Sequence, residues 1–268
     1  MLAACVGDLD PDGGWSAPVL DPDGDQIFLG AKDGRITRLD LDEDGRFDTS
    51  WGYPVSGNDT LGPLYGSPRV DDGRVITAAY DCDGLDCEAF VFGISAESGN
   101  ELWRFERQTQ VDTSTDLAPT VLWRVPTTDS VWGTPVIADD VVYFGDLDGV
   151  LHAVSLGGES GVAGTELWTF EADGAVVAEP LIANGKIYFG DFSDTFYALD
   201  LERRKAAGPG TNAIGVGEWS FNSDGWFWAT PLLLDNILYV GTLNGKFYAL
   251  NAETGQEMWA DPGVVDGQ

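Results

Sequence analysis

Apolar positions in the stretch Trp228–Trp259 fall into four short runs: Pro231–Leu234, Ile237–Gly241, Lys246–Leu250 and Gln256–Trp259. Between them stand the polar turn pairs Asp235-Asn236, Asn244-Gly245 and Thr254-Gly255. Runs of this length with such punctuation read as strands, and Asn-Gly tolerates the positive φ that a two-residue hairpin demands. The pattern therefore predicts an antiparallel meander of four strands and three tight turns.

The same unit recurs four more times. Prolines open the first strands at Pro18, Pro68, Pro135, Pro180 and Pro231, spaced 45 to 67 residues apart. Tryptophans close the fourth strands at Trp51, Trp103, Trp168, Trp219 and Trp259, and a small Gly or Ala ends every second strand. A four-stranded sheet cannot bury an apolar face alone, and radial packing of such repeats into a β-propeller solves this. No segment has the 3.6-residue period of helical solenoids. The predicted fold is all-β: a propeller of four-stranded antiparallel blades at about 15–51, 65–123, 132–168, 177–219 and 228–259, five repeats that can form part of a larger ring.

Tyr239-Val240-Gly241, Asn244-Gly245, Ala249-Leu250-Asn251 and Thr254-Gly255 to Trp259 resemble the blade motif of pyrroloquinoline-quinone-like propellers. Tyr188-Phe189-Gly190 and Ala198-Leu199-Asp200 follow it closely, and the resemblance covers nearly the whole chain. It is specific for fold and leaves function open, because the family spans quinoprotein dehydrogenases and BamB-type envelope lipoproteins. It implies that the five fourth-strand tryptophans pack between neighbouring blades.

Charge narrows the partners. With 45 acidic against 14 basic residues the formal net charge is −31, which repels phosphate backbones and argues against nucleic acid. The acidity reads as a solvated surface or as cation binding. Residues 40–48 (Asp40-Leu-Asp42-Glu-Asp44-Gly-Arg-Phe-Asp48) and 8–14 carry the D-x-D-x-D-G spacing of a calcium loop. Asp40, Asp42, Asp44 and Asp48 are thus metal candidates, although Trp51 stands where the bidentate Glu belongs and Asp40 aligns with the ordinary turn residues Asp200 and Asn251. Asx turns are the competing reading.

Leu2-Ala3-Ala4-Cys5 resembles a lipobox without its upstream apolar run, so residues 1–14 read as a lipobox remnant and flexible acidic linker. Lipidation at Cys5 would anchor the domain to a membrane from the extracytoplasmic side. Cys82 and Cys87 can pair with each other across an expanded hairpin, leaving Cys5 as the odd cysteine. A disulfide there agrees with an exported protein. Zinc lacks ligands, since the one histidine, His152, aligns with Tyr197 and Tyr248 inside a third strand.

Two further features suggest recognition. After Trp103 an insertion runs to Ser130, and Trp123 within it lies 12 residues before Pro135, the same spacing as Trp168 to Pro180. Either Trp103 or Trp123 can close that blade, and a long polar insertion in a propeller reads as an interaction loop. Three residues before each proline stand Trp15, Tyr65, Trp132, Val177 and Trp228, with Ser67, Thr134, Glu179 and Thr230 directly before the later prolines. On first strands these would gather at one mouth of the channel, joined by Trp226 and Phe227. They read as inter-blade packing or as a stacking floor for a peptide, sugar or planar ligand, with Glu179 and the hydroxyls as polar contacts.

Catalysis finds little support. With one strand-borne His and no G-x-S-x-G, nucleophilic triads are absent, and no carboxylate pair stands out. The vicinal cysteines of quinoprotein dehydrogenases do not occur, so pyrroloquinoline quinone is not expected and calcium is the one cofactor with a candidate site. The expected function is a non-enzymatic binding or scaffold propeller of the cell envelope, lipid-anchored, with envelope proteins or peptides as partners. A quinone- or calcium-dependent oxidoreductase is the alternative. Within residues 260–268, Pro262–Gln268 parallel Pro180–Lys186 position by position, which suggests the start of a sixth repeat or a closing strand. The expectation is a piece of a longer protein, arranged as a closed or nearly closed ring.

Overall fold

The computed structural model describes residues 16–22, 24–30, 35–41, 46–53, 64–83, 86–97, 101–106, 122–123, 131–157, 161–208, 210–259 and 263–264. They form five sheets, each built from strands consecutive in the chain. Blade 1 contains β1 (Val19–Leu20), β2 (Gln26–Gly30), β3 (Ile36–Leu41) and β4 (Phe47–Tyr53). Blade 2 contains β5 (Arg69–Asp71), β6 (Arg74–Asp83), β7 (Asp86–Ser95), β8 (Glu101–Glu106) and β9 (Leu122–Trp123). Blade 3 is β10 (Val136–Ala138), β11 (Val141–Gly145), β12 (Val150–Ser155) and β13 (Glu166–Glu171). Blade 4 is β14 (Leu181–Ala183), β15 (Lys186–Gly190), β16 (Thr195–Asp200) and β17 (Trp219–Asn222), with the helix α1 (Leu201–Ala207) between the last two strands. Blade 5 is β18 (Leu232–Leu234), β19 (Ile237–Gly241), β20 (Lys246–Asn251) and β21 (Gly263–Val264). The first strands lie side by side, β1 against β5, β5 against β10 and β10 against β14, so the sheets radiate from them as propeller blades.

Turn chemistry sets the hairpins. Both central residues have positive φ in Asp72-Gly73, Asp139-Asp140, Asn184-Gly185 and Asp235-Asn236, the backbone of a type I′ turn between first and second strands. Asn244-Gly245 differs from the expectation: only Gly245 has positive φ, and Gly245 N–H bonds Thr242 O while Thr242 N–H bonds Lys246 O. The longer loop needs one left-handed residue, which glycine supplies without a Cβ penalty.

The core is interfacial. One apolar cluster joins blades 1 and 2 through Phe28, Ile36, Val75 and Phe92, and another joins blades 2 and 3 through Ile76, Val91, Val142 and Phe144. Blades 3 and 4 share Tyr143, Trp168, Ile187 and Phe189, while blades 4 and 5 share Tyr188, Trp219, Leu238 and Leu250. Neighbouring positions such as Ile187 and Tyr188 serve opposite interfaces, because successive strand side chains alternate between faces.

Three of the four interfaces are also pinned by one backbone carbonyl just past the third strand of the following blade. Arg38 donates to Ala96 O at 2.8 Å, Arg74 donates to Leu156 O at 3.3 Å, and Trp219 Nε1 and Tyr188 Oη donate to Ala252 O at 3.1 and 3.2 Å. The N–H of those same residues bonds the first turn of its own blade, at Gly73, Asp140 and Asn236. One buried peptide position therefore closes its own sheet and ties it to its neighbour.

The closing tryptophans share a register. Trp51 lies opposite Arg38, Trp103 opposite Gly93, Trp168 opposite Ala153 and Trp219 opposite Ala198. In the first three pairs the register shifts at that point, so one bulged residue precedes each tryptophan. Trp103 is thus the residue on the fourth strand of blade 2, and Trp123 sits on β9, which pairs in parallel with the outside of β8. Trp168 is 1% exposed and Trp219 is 7% exposed.

Trp259 departs from the expected burial. It is 41% exposed and packs within its own sheet on Tyr239 and Phe247, repeating the buried trio Tyr188, Phe196 and Trp219 of blade 4. The reason is positional: among the described residues no sheet covers the far side of blade 5, where Leu232 and Leu234 are also exposed. Nor does any core cluster of described residues join blade 5 to blade 1, so the expected ring closure is not found among them. Gly263–Val264 pairs with Lys246 and Phe247, placing this segment on the outer edge of blade 5 and not on the first strand of a sixth repeat.

Two measurements check this arrangement. Trp219→Ala should lower unfolding free energy in urea by about 3–5 kcal/mol, as for a large buried aromatic. Trp259→Ala should cost about 1 kcal/mol or less, as for a surface position. Cys82 and Cys87 are directly cross-strand partners in the β6–β7 ladder, and their side chains lie outside the described residues. Opposed positions of this kind lie within disulfide reach. Both thiols are expected to resist alkylation in the denatured protein until a reductant is added.

Candidate functional site at the channel mouth

The approach to each first strand divides its labour by parity. Four residues before the proline stand Leu64, Val131, Val176 and Phe227, all at most 1% exposed and all in inter-blade clusters. They explain the small residue ending the second strands. A Cβ on Gly145 would lie 2.3 Å from Val176, one on Gly190 would lie 2.3 Å from Phe227, and one on Gly30 would lie 2.9 Å from Leu64. Phe227, expected at the mouth with its neighbours, is instead this packing residue.

The next position turns the other way. Tyr65, Trp132, Val177 and Trp228 line a cavity of about 550 Å³ together with Ser67, Thr134, Glu179 and Thr230. Between these two sets lies a residue with almost no room. A Cβ on Gly66 would meet Gly133 O at 2.5 Å, and one on Gly133 would meet Val177 O at 2.9 Å, so adjacent first strands approach in backbone contact. That approach brings the rings of Tyr65 and Trp132 to 5.3 Å, tilted by 34°.

Polar groups stitch the same rim. Ala17 N–H donates to Ser67 Oγ and Ser67 N–H donates to Thr134 Oγ1, each at 3.0 Å, so both hydroxyls accept from the preceding blade. Glu179 breaks the series: it pairs with Arg69 of blade 2, which also donates to Pro135 O at 3.1 Å. Burial pushes the Glu179 carboxyl above its usual range, and Arg69 offsets only part of this. Trp132 Nε1 is buried and has no hydrogen-bond partner among the described residues. An unmet buried N–H costs about 1–3 kcal/mol unless something supplies an acceptor.

Trp226 and Trp228 are both half-exposed and sandwich Phe192, with ring centroids at 5.0 and 5.4 Å. Trp226 is not part of the cavity wall and extends it outward through this stack. Phe192 and Arg69 were not anticipated. Phe192 occupies the loop position held by Leu147 and Leu243 in the adjacent blades, so an aromatic at an aliphatic position was the available signal. Trp15, Cys5, Asp42 and Asp44 lie outside the described residues. Asp40 forms a two-pronged pair with Arg38 at 2.5 and 3.0 Å, and Asp48 is its cross-strand partner in the backbone ladder.

With this geometry in view, comparisons with known proteins can be placed. Residues 115–207 match the family described as outer membrane protein assembly factor BamB. The solved structure of BamB from Moraxella catarrhalis superposes with a TM-score of 0.58 at 17% identity, over 91% of this chain and 60% of that one. The chain is similar to BamB-type repeat proteins. The computationally designed Ika8 protein also superposes, with a TM-score of 0.60 at 14% identity over the same shares of the two chains. These likenesses carry the β-propeller fold, and the chain spans 60% of the length of each of these structures. No curated protein matches it in sequence.

The BamB-like blades also carry a buried polar motif in the loop after the second strand. In blade 4, Asp191 accepts from Thr195 N–H, Ser193 N–H and Tyr197 Oη. In blade 3 the aligned Asp146 faces His152 Nε2 at 3.2 Å, while Glu166 faces Nδ1 at 3.2 Å. Burial alone would depress the pKa of His152, but the two carboxylates outweigh it and hold the imidazolium above its ordinary value. Stability from this charge is complete below the unfolded histidine pKa and is lost as pH rises through the higher folded one. Urea unfolding should therefore show wild type losing stability above about pH 6.5, and His152→Tyr, the residue used in blades 4 and 5, should flatten that slope.

Proposed function

We propose that this chain acts as a non-enzymatic scaffold propeller of the cell envelope, lipid-anchored at Cys5, and that its channel mouth takes up a segment of a partner protein. The observation that carries the binding reading is the convergence of Tyr65, Trp132 and Trp228 on one cavity, with the donor of Trp132 left unmet. Packing is supplied by the residue one position earlier, and the rings at the rim line the cavity instead of the inter-blade core. Rigid aromatics give contact area at low entropic cost, which suits an extended peptide.

The envelope setting draws on the likeness to a family described as an outer membrane assembly factor and on the Leu-Ala-Ala-Cys sequence. The cross-strand cysteines in blade 2 fit the same oxidising compartment.

Tryptophan fluorescence tests the mouth. Short extended peptides should quench wild-type emission saturably, and Trp132→Ala should abolish the effect while leaving the urea transition cooperative. Quenching by neutral oligosaccharides alone would move the site to sugar recognition. Stoichiometric uptake of pyrroloquinoline quinone with Ca²⁺, read as cofactor absorbance after gel filtration, would overturn the scaffold reading in favour of an oxidoreductase.

A further inference from the structure

The mouth has a chemical character beyond its shape. Three aromatic residues and one carboxylate line it, whereas Arg69, which pairs with Glu179, is not part of the wall. The ion pair occupies Glu179 Oε1, and no donor among the described residues reaches Oε2. The hydroxyls of Ser67 and Thr134 already accept from backbone N–H groups, which leaves the cavity short of the many free polar groups a sugar requires. Over the whole chain the formal charge is −31, so the field at any opening favours a cation and opposes an anion.

We propose that the mouth is selective for a cationic side chain, an arginine or lysine presented on an extended segment of a partner protein. The cation lies against the rings of Tyr65, Trp132 and Trp228, where the negative π-faces attract it, and is directed towards Glu179. The backbone of the same segment supplies a carbonyl to Trp132 Nε1, a buried donor at this rim without a partner among the described residues. The partly compensated burial of Glu179 works in the same direction, because a second positive charge stabilises a carboxylate held above its usual range. This inference rests on the peptide-binding reading above and names the residue that reading selects.

The test uses three blocked tripeptides with a central arginine, citrulline or glutamate, titrated against wild type, Glu179→Gln and Trp132→Phe. Citrulline keeps the length and planar shape of arginine, but a carbonyl oxygen replaces one of its NH2 groups and the charge is removed. The arginine peptide should bind wild type at least about tenfold more tightly than the citrulline peptide, with the preference shrinking as salt rises. Glu179→Gln should reduce that preference, and Trp132→Phe, which keeps a ring but loses the N–H, should weaken both peptides alike. Equal binding of arginine and citrulline peptides overturns the cation inference and leaves the peptide-binding scaffold standing. Absence of binding by all three peptides overturns both.

Discussion

A four-stranded blade has two apolar faces and can cover neither of them. That constraint organises the molecule: successive residues of one strand, such as Ile187 and Tyr188, are committed to different neighbours, and the core consists of interfaces between sheets. The spacing of those interfaces is set where side chains are smallest. Gly145 and Gly190 admit Val176 and Phe227 of the following blade, and any Cβ there would collide with them. Polar groups obey the same geometry, since the carbonyls of Ala96, Leu156 and Ala252 face a donor on the preceding blade. A donor buried at such a seam has no water to turn to, so the sequence must supply its acceptor.

The aromatic mouth is a by-product of that packing. Where the chain enters a blade, one residue is spent on the inter-blade core, the next faces the cavity, and the one after it must be small. The cavity-facing position carries Tyr65, Trp132 and Trp228. Because Gly66 and Gly133 let the backbones touch, rings from separate repeats reach one cavity without any loop having to fold over it. Preorganised rings of this kind need little reordering when a guest arrives.

Much of this was legible from residue types with strict positional roles. Proline at strand starts fixed the blade count, and tryptophan on the fourth strand the register of blades 1 to 4, whereas in blade 5 Gln256–Trp259, expected as the fourth strand, forms none and Gly263–Val264 takes that edge. The aromatic position three before the proline pointed to the mouth. What escaped depends on which surfaces meet. Trp259 carries the same sequence signal as Trp219, but Trp219 lies on β17 under a facing blade, whereas Trp259 lies on no strand and no sheet faces it among the described residues, which separates 41% from 7% exposure. Gly263–Val264 resembles a first strand by composition, but the vacant edge beside Lys246 and Phe247 was the nearer partner for its backbone. Arg69 looked like an ordinary strand residue; its pairing with Glu179 needs the two first strands between which β10 lies. Asn244-Gly245 shows the limit of dipeptide rules, since loop length, with Thr242 and Lys246 closing it, decided which residue turned left-handed.

Blades in such an array communicate chiefly with their immediate neighbours, and a structure with nearest-neighbour coupling opens from its ends inward. The mouth works against this. Its wall is drawn from blades 2, 3, 4 and 5 at once, and the Arg69–Glu179 pair reaches from blade 2 to blade 4 across the blade between them. A guest seated there would act as a keystone, converting a row of pairwise contacts into one mechanical unit. Occupancy would then be felt as stiffness beyond the cavity wall, in blade 1, which contributes none of its residues.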